Sequence, residues 1–187
     1  MQAVRRILCY LKTTLGKSLL FRPGKEMEVV GYIDADNGGS LVDRRSTKGY
    51  YVFLGGNLVS WRRKKQNVVA RSSAEAEFRA MAFGRCELLW LRIVLEDLKI
   101  PSNGPMKLCC DNQSNISIAR KPVQHDRTKH VEIDHHFIKK KLESKEVCML
   151  FVTSANQIAG ALTKGLPIKR FEELISKLGM IDIHSPA

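Results

Sequence analysis

Three carboxylates in this sequence sit where a carboxylate is costly. Asp34 ends the apolar run that begins at Val29, Asp111 ends the apolar run Met106 to Cys110, and Glu77 falls on the helical stripe continued by Met81, Gly84, Leu88 and Leu91. An acid at the end of a buried strand, or on the inner stripe of a helix, needs positive charge to meet it. Taken singly, Asp34 is better read as an Asx turn capping its strand. If the three converge, they repel one another unless divalent cations neutralise them, and hard oxygen ligands select Mg²⁺ or Mn²⁺ over zinc. Two such ions about 3.5–4 Å apart are the usual device for in-line displacement at a phosphodiester. One ion orients and deprotonates the water while the other stabilises the leaving oxygen. In a basic chain that chemistry suggests a nuclease.

The elements that must position these groups are legible from pattern. VVGYIDADNGG (29–39) has the β-branched and aromatic character of a strand ended by Gly38-Gly39. Gly49 to Leu54 and Asn57 to Trp61 read as a hairpin across Gly55-Gly56, which with residues 28–36 makes an antiparallel meander. The basic run Arg62-Arg63-Lys64-Lys65 follows at the end of the sheet, where it could hold phosphates or simply be solvated. Ser72 and Glu75 form a capping box opening the longest helix, so Glu75 has a structural role that Glu77 lacks. Gly84 on that helix predicts a close approach to the sheet, and Pro101 ends the helical region. Residues 106–110 form a near-continuous apolar strand, and a helix follows until Pro122. Residues 129–143 read as an amphipathic helix, 147–152 as a strand, SANQIAGALTKGL as a short helix with Ile158, Ala161 and Leu162 inward, and Phe171 to Leu178 as a last helix closed by Gly179. Strand–helix units after a meander give an α/β layer in which the later strands run parallel to the first, placing Asp34 and Asp111 on neighbouring strands.

The chain has 187 residues, 31 Lys+Arg against 19 Asp+Glu, and a formal charge of +12, a balance suited to a polyanionic partner such as nucleic acid. Cys9, Cys86, Cys109, Cys110 and Cys148 include no CxxC pair, so they read as reduced, buried thiols rather than a zinc site or a disulfide framework. His125, His130, His135 and His136 cluster without a nearby cysteine and read better as surface or nucleic-acid-facing groups than as zinc ligands. With no apolar run of membrane length and no signal-peptide pattern, the expectation is an intracellular protein, cytoplasmic or nuclear, without a membrane partner. Residues 1–15 read as a short basic helix with Val4, Ile7, Leu8 and Leu11 on one face, followed by a strand-like 18–21. That face has nothing of its own to bury against.

Beyond these patterns, the chain resembles the ribonuclease H domain of copia-type LTR-retrotransposon Pol polyproteins. The motifs that carry the resemblance are GYIDAD (31–36), DRRSTKGY (43–50), SWRRKKQ (60–66), VARSSAEAE (69–77), CDNQS (110–114), RTKHVEIDHHFI (127–138) and LTKGL (162–166). It implies an α/β fold of ribonuclease H type, with a mixed five-stranded sheet of three antiparallel strands and then two parallel ones, and flanking helices. It implies three regions: 1–27 as the end of a reverse transcriptase region, 28–166 as the ribonuclease H-like domain, and 167–187 as a C-terminal helix and tail. The chain is then a piece of a polyprotein or a relic reading frame. The implied activity is metal-dependent hydrolysis of the RNA strand of RNA/DNA hybrids, with two Mg²⁺ (or Mn²⁺) held by Asp34, Glu77 and Asp111 and with a reverse transcriptase region as partner. Arg44, Arg45, Arg62, Arg63, Lys64 and Lys65 are the implied nucleic-acid contacts.

The chain departs from the family pattern at two places. A fourth Asp is expected in a stretch similar to Gln-Leu-Ala-Asp, but here it reads Gln157-Ile158-Ala159-Gly160, and the Trp expected after Asp36 is Asn37. Asn156 is the nearest substitute ligand, on the expectation that it turns the same helical face. Hybrid binding is expected to persist with hydrolysis strongly impaired. A non-catalytic nucleic-acid-binding remnant, or a decayed reading frame, is the alternative. An integrase-like set would add Glu146, which lies 35 positions after Asp111, but this residue precedes a strand where a helix would be needed.

Overall fold

The computed structural model describes residues 1–23, 26–39, 42–101, 104–120 and 146–184. The helix expected at 129–143, with its histidines and Lys139–Lys141, lies outside them. Five strands form the main sheet: β2 (Val29–Ala35), β3 (Thr47–Leu54), β4 (Asn57–Lys65), β5 (Met106–Cys110) and β6 (Val147–Phe151). Their order is β4-β3-β2-β5-β6. β2–β3 and β3–β4 are antiparallel, whereas β2–β5 and β5–β6 are parallel, as expected from the meander and the later crossover units.

Helix α2 (Ser73–Asp97) covers one face of the sheet. Its N-cap is Ser72, whose hydroxyl accepts from the Glu75 amide; Glu75 in turn accepts from the Arg71 amide at 2.7 Å. The cap is thus built one residue wider than the reciprocal box read from sequence. Met81, Leu88, Leu91 and Leu95 pack on Val29, Ile33, Tyr50, Val52 and Leu108. At the helix's first turns the contacts shrink to Ala76 and Ala80 against Ala35, which draws Glu77 down toward the end of β2. Gly84 faces Ile33 so closely that a Cβ there would collide with Ile33 Cγ2. Gly84→Ala is therefore expected to destabilise by about 1–3 kcal/mol, the usual effect of overpacking. Thermal melts should show it as about 2–4 °C lost per kcal/mol; an unchanged melting temperature would mean the helix shifts freely.

The opposite face is covered by the end of the chain. Helix α4 (Gly160–Thr163) and helix α5 (Ile168–Lys177) bring Ile158, Leu174 and Leu178 onto Tyr51 and Phe53. Gly49 pairs with Asp34 in the β2–β3 register, and a Cβ on it would stand 2.7 Å from Leu162 Cβ. The missing side chain lets α4 press down on the sheet beside Asp34.

Three local expectations are corrected. β4 does not stop at Trp61 but runs on through the basic residues to Lys65; as an edge strand it can hold them in solvent. The 153–159 stretch is turn, with a helix of only four residues after it, because the buried Gln157 side chain donates to Ile33 O at 2.9 Å and holds the chain flat against β2. Cys9 and Cys86 are exposed, and only Cys109 and Cys110 are buried, with Cys148 between. Helix α1 (Gln2–Thr14) has its apolar residues Val4, Ile7, Leu8 and Leu11 at least half exposed. The following β1 (Lys17–Leu19) pairs antiparallel with β7 (Met180–Asp182), so both ends of the described chain join in a small second sheet.

Candidate active site

Strand alternation decides which face each acid takes. Gly31 and Ile33 look toward α2, so Asp34 looks the other way, toward α4. There it is 4 % exposed. Its Oδ2 accepts a hydrogen bond from the Thr163 hydroxyl, and its Oδ1 accepts from Lys164 Nζ at 2.9 Å. The same ammonium stands 4.0 Å from Asp111 Oδ2. Asp111 follows β5 directly and also accepts from Ser154 Oγ at 3.0 Å.

Glu77 reaches the group from α2. Glu77, Asp111 and Cys110 present ligand atoms that all lie within 4.8 Å of one another. Helix α3 (Gln113–Arg120) fixes the carboxylate: Asn112 Oδ1 accepts from the Asn115 amide at 3.0 Å, and Asn115 Nδ2 donates to Glu77 Oε2 at 2.9 Å. The chain thus brings Asp34, Glu77 and Asp111 together at the C-terminal ends of β2 and β5. Asp34 is not an Asx cap, its carboxylate being held by Thr163 and Lys164, and Asp36 ties the strand end instead across the β2–β3 pair, its Oδ1 accepting from the Thr47 amide at 2.6 Å.

The electrostatics are those of crowded, partly dehydrated acids. Burial raises the Asp34 carboxyl above its ordinary pKa; Thr163 and Lys164 oppose the shift and Asp111 adds to it. Burial also raises Glu77, reinforced by the charges of Asp111 and Asp34. Burial pulls the Lys164 ammonium down, but Asp34, Asp111 and Glu77 together outweigh it and hold it above the ordinary lysine value. Burial pushes the Cys110 thiol up to about 12, so it stands by as a neutral sulfur. The donors left are carboxylate oxygens, a set that suits a hard divalent cation.

Position 160 meets this group through the Lys164 side chain. A Cβ built on Gly160 would meet only Lys164 Cδ, at 3.8 Å. Asn156 does not share that position's face: it precedes the helix, accepts from Lys177 Nζ at 3.1 Å, and lines a groove with Glu28 and Val30 at the far end of β2. Glu146 is also at a far end, just before β6, whose parallel partner β5 begins at Met106, whereas Asp111 follows that strand's other end. Thr163, Lys164, Asn115, Gln157 and Ser154 were not singled out from sequence as site residues. Thr163 and Lys164 lie in the LTKGL motif, Asn115 directly follows CDNQS, and Gln157 opens the stretch similar to Gln-Leu-Ala-Asp; none of them, nor Ser154, carries the carboxylate that marks the other site residues.

The basic residues divide into two groups. Arg62 pairs with Tyr50 and Lys64 with Lys48, placing them on the α2 face, where Lys48 Nζ stands 4.4 Å and Arg62 Cζ 5.9 Å from the Phe83 ring centre. An open groove of about 480 Å³ runs there, lined by Lys48, Lys64, Arg79 and Phe83. Arg63 alternates to the other face, while Lys65 borders the groove and shares Asp43 with Arg45. Arg44 is exposed in the same loop with φ 54°.

The sheet order, with acids at the ends of two adjacent central strands, is that of a ribonuclease H-fold domain. The N-terminal RNase H domain of a Mycobacterium tuberculosis protein matches with a TM-score of 0.51 at 14% identity, over 81% of this chain and 98% of that one. LC11-RNase H1, solved in complex with an RNA/DNA hybrid, matches with a TM-score of 0.53 at 10% identity, over 73% and 94%. At such identities the likeness is one of fold. No family profile matches the chain. In sequence it is 38% identical over 180 residues to the retrovirus-related Pol polyprotein from transposon RE1 of Arabidopsis thaliana, covering 96% of this chain and 12% of the relative. It is 34% identical over 179 residues to that from transposon TNT 1-94 of Nicotiana tabacum, covering 96% and 13%. Over nearly its whole length the chain is thus similar in sequence to retrotransposon Pol polyproteins and carries a ribonuclease H fold, while spanning only about an eighth of those relatives' length.

Proposed function

We propose that this segment is a metal-dependent endonuclease for the RNA strand of RNA/DNA hybrids, with hydrolysis impaired by the glycine at 160. What supports the reading is the close pair Glu77 and Asp111 at the end of β5, with Asp34 at the end of the adjacent parallel β2 joined to Asp111 through the Lys164 ammonium. Asp34, Glu77 and Asp111 would hold two Mg²⁺ or Mn²⁺ ions. Bound there, such ions supply a deprotonated water and charge stabilisation at the leaving oxygen. The chain's own groups fix the acids: Thr163 holds one Asp34 oxygen, Asn115 aims Glu77, and Ser154 aims Asp111. Recognition would follow A-form shape and 2′-hydroxyls rather than bases. Residues 1–27 are read as the end of the preceding polymerase region, a reading supported by the exposed apolar face of α1.

The test is cleavage of a labelled RNA/DNA hybrid with Mg²⁺ and with Mn²⁺, beside Asp34→Asn. Metal-dependent cutting that the variant lacks supports the reading. Salt-sensitive binding without any such cutting would favour a non-catalytic nucleic-acid-binding remnant, which the lysine already lodged among the acids also suits.

The basic edge makes its own prediction. Replacing Arg62 and Lys64 together by Gln is expected to weaken hybrid binding and to flatten the log affinity against log salt plot by about one unit per lost phosphate contact. Binding titrations between low and physiological salt would measure it. An unchanged slope would remove the α2-side groove from the nucleic-acid path.

A further inference from the structure

Lys164 is the only cation among the described residues recorded as an ion-pair partner of Asp34 or Asp111. It follows α4 directly, and its backbone N–H donates to Gly160 O at 3.0 Å, so residues 160 and 164 stand one helical turn apart. An acidic side chain at 160 would pair with Lys164 across that turn and draw its ammonium off the strand ends. Glycine offers nothing, and the ammonium settles on Asp34 instead. The two partners differ in freedom: the Lys164 side chain is 44% exposed on a flexible stem, whereas that of Asp34 is 2% exposed and fixed. An ammonium 2.9 Å from Asp34 Oδ1 covers an oxygen that a divalent cation would have to approach to about 2.0–2.1 Å. The two charges cannot share it.

We propose that Lys164 is the resident counter-ion of the carboxylate cluster, seated there because position 160 has no side chain, and that a divalent cation is held only as this ammonium swings out. The proposal rests on the reading of Asp34, Glu77 and Asp111 as metal ligands. It assigns Lys164 a positioning and gating role: the metal-free fold is stabilised by the lysine, and metal affinity is lowered by it.

Mn²⁺ binding by calorimetry, on the wild type, Lys164→Gln and Lys99→Gln, tests this without any cleavage assay. Lys99 lies past the C-terminal end of α2, roughly 30 Å along the helix from Glu77, and controls for net charge. Lys164→Gln is expected to bind Mn²⁺ about tenfold tighter or better, the effect of removing one unit charge from a partly buried site, while Lys99→Gln matches the wild type. In EDTA, Lys164→Gln should melt below the wild type, and saturating Mn²⁺ should close or reverse the gap. Equal or weaker Mn²⁺ affinity in Lys164→Gln, or the same gain in Lys99→Gln, would overturn the proposal and leave the metal site standing. Absence of Mn²⁺ binding in all of these and in Gly160→Asp would overturn both.

Discussion

Gly160→Asp is expected to raise metal-dependent cleavage of an RNA/DNA hybrid by about a hundredfold or more. Three structural facts set that expectation. No positive φ marks Gly160, so its backbone suits an L residue, and a Cβ there has room, its nearest neighbour being Lys164 Cδ at 3.8 Å. The position touches Lys164, whose ammonium bridges Asp34 and Asp111, so a longer acidic side chain there would extend toward the same group and, on the proposed reading, add a fourth oxygen donor where only three acids would serve two dications. It also gives Lys164 a partner one turn away. Altering groups that merely orient metal ligands changes affinity or activity by about 10–100-fold; restoring a direct ligand belongs at or above the top of that range. Gly160→Asn is the matching control, with similar volume and no charge, and should recover little. The measurement is the initial rate of hybrid cleavage with Mg²⁺ at fixed ionic strength, with hybrid affinity determined separately. Equal rates in the wild type and Gly160→Asp would show that position 160 is not the weak point of this site.

What the sequence disclosed and what it hid divide along a physical line. The sheet was legible because each central strand is coded locally: β2 and β5 by apolar runs, β3–β4 by a hairpin turn at Gly55-Gly56, and α2 by its stripe and cap. Glu77 was legible for the same reason, as a charge out of place in a regular pattern. β1 was legible one or two residues late, at 18–21, but its partner β7 was not, since a three-residue strand pairing with the far end of the chain leaves no periodicity to read. The continuation of β4 through Arg62–Lys65 was hidden because basic residues look solvated, which on an edge strand they are. Gln157 turned an expected helix into turns through a single buried bond to Ile33 O, a tertiary effect with no local trace. Thr163 and Lys164 reach Asp34 from a helix that packs on the sheet where Gly49, more than a hundred positions earlier, leaves space for Leu162. Long-range absences of this kind decide the site and are invisible to a window of neighbouring residues.

Asp34→Asn should separate function from stability in opposite directions. In the Gly160→Asp background, where cleavage is measurable, it is expected to return the rate to background, because Asp34 is the buried acid that faces both α4 and Asp111. Stability should move the other way. The Asp34 carboxyl titrates above its ordinary value of 3.8 because burial disfavours its ionised form, and Thr163 and Lys164 compensate only in part. A carboxyl raised on folding favours the folded state while it is protonated, and that advantage is lost as pH climbs from the unfolded pKa through the folded one. At neutral pH the wild type therefore carries an ionised, poorly hydrated acid that asparagine does not. In EDTA, Asp34→Asn is expected to melt above its parent at pH 7 and to approach it near pH 3, where both side chains are neutral. Added Mn²⁺ should narrow the pH 7 gap by stabilising the parent alone, since a ligand that binds only the folded form of one protein raises only that melting point. A variant less stable than its parent at pH 7 in EDTA would mean that the pair with Lys164 outweighs the burial of the charge. The acids would then be held together by their lysine more firmly than a metal site requires.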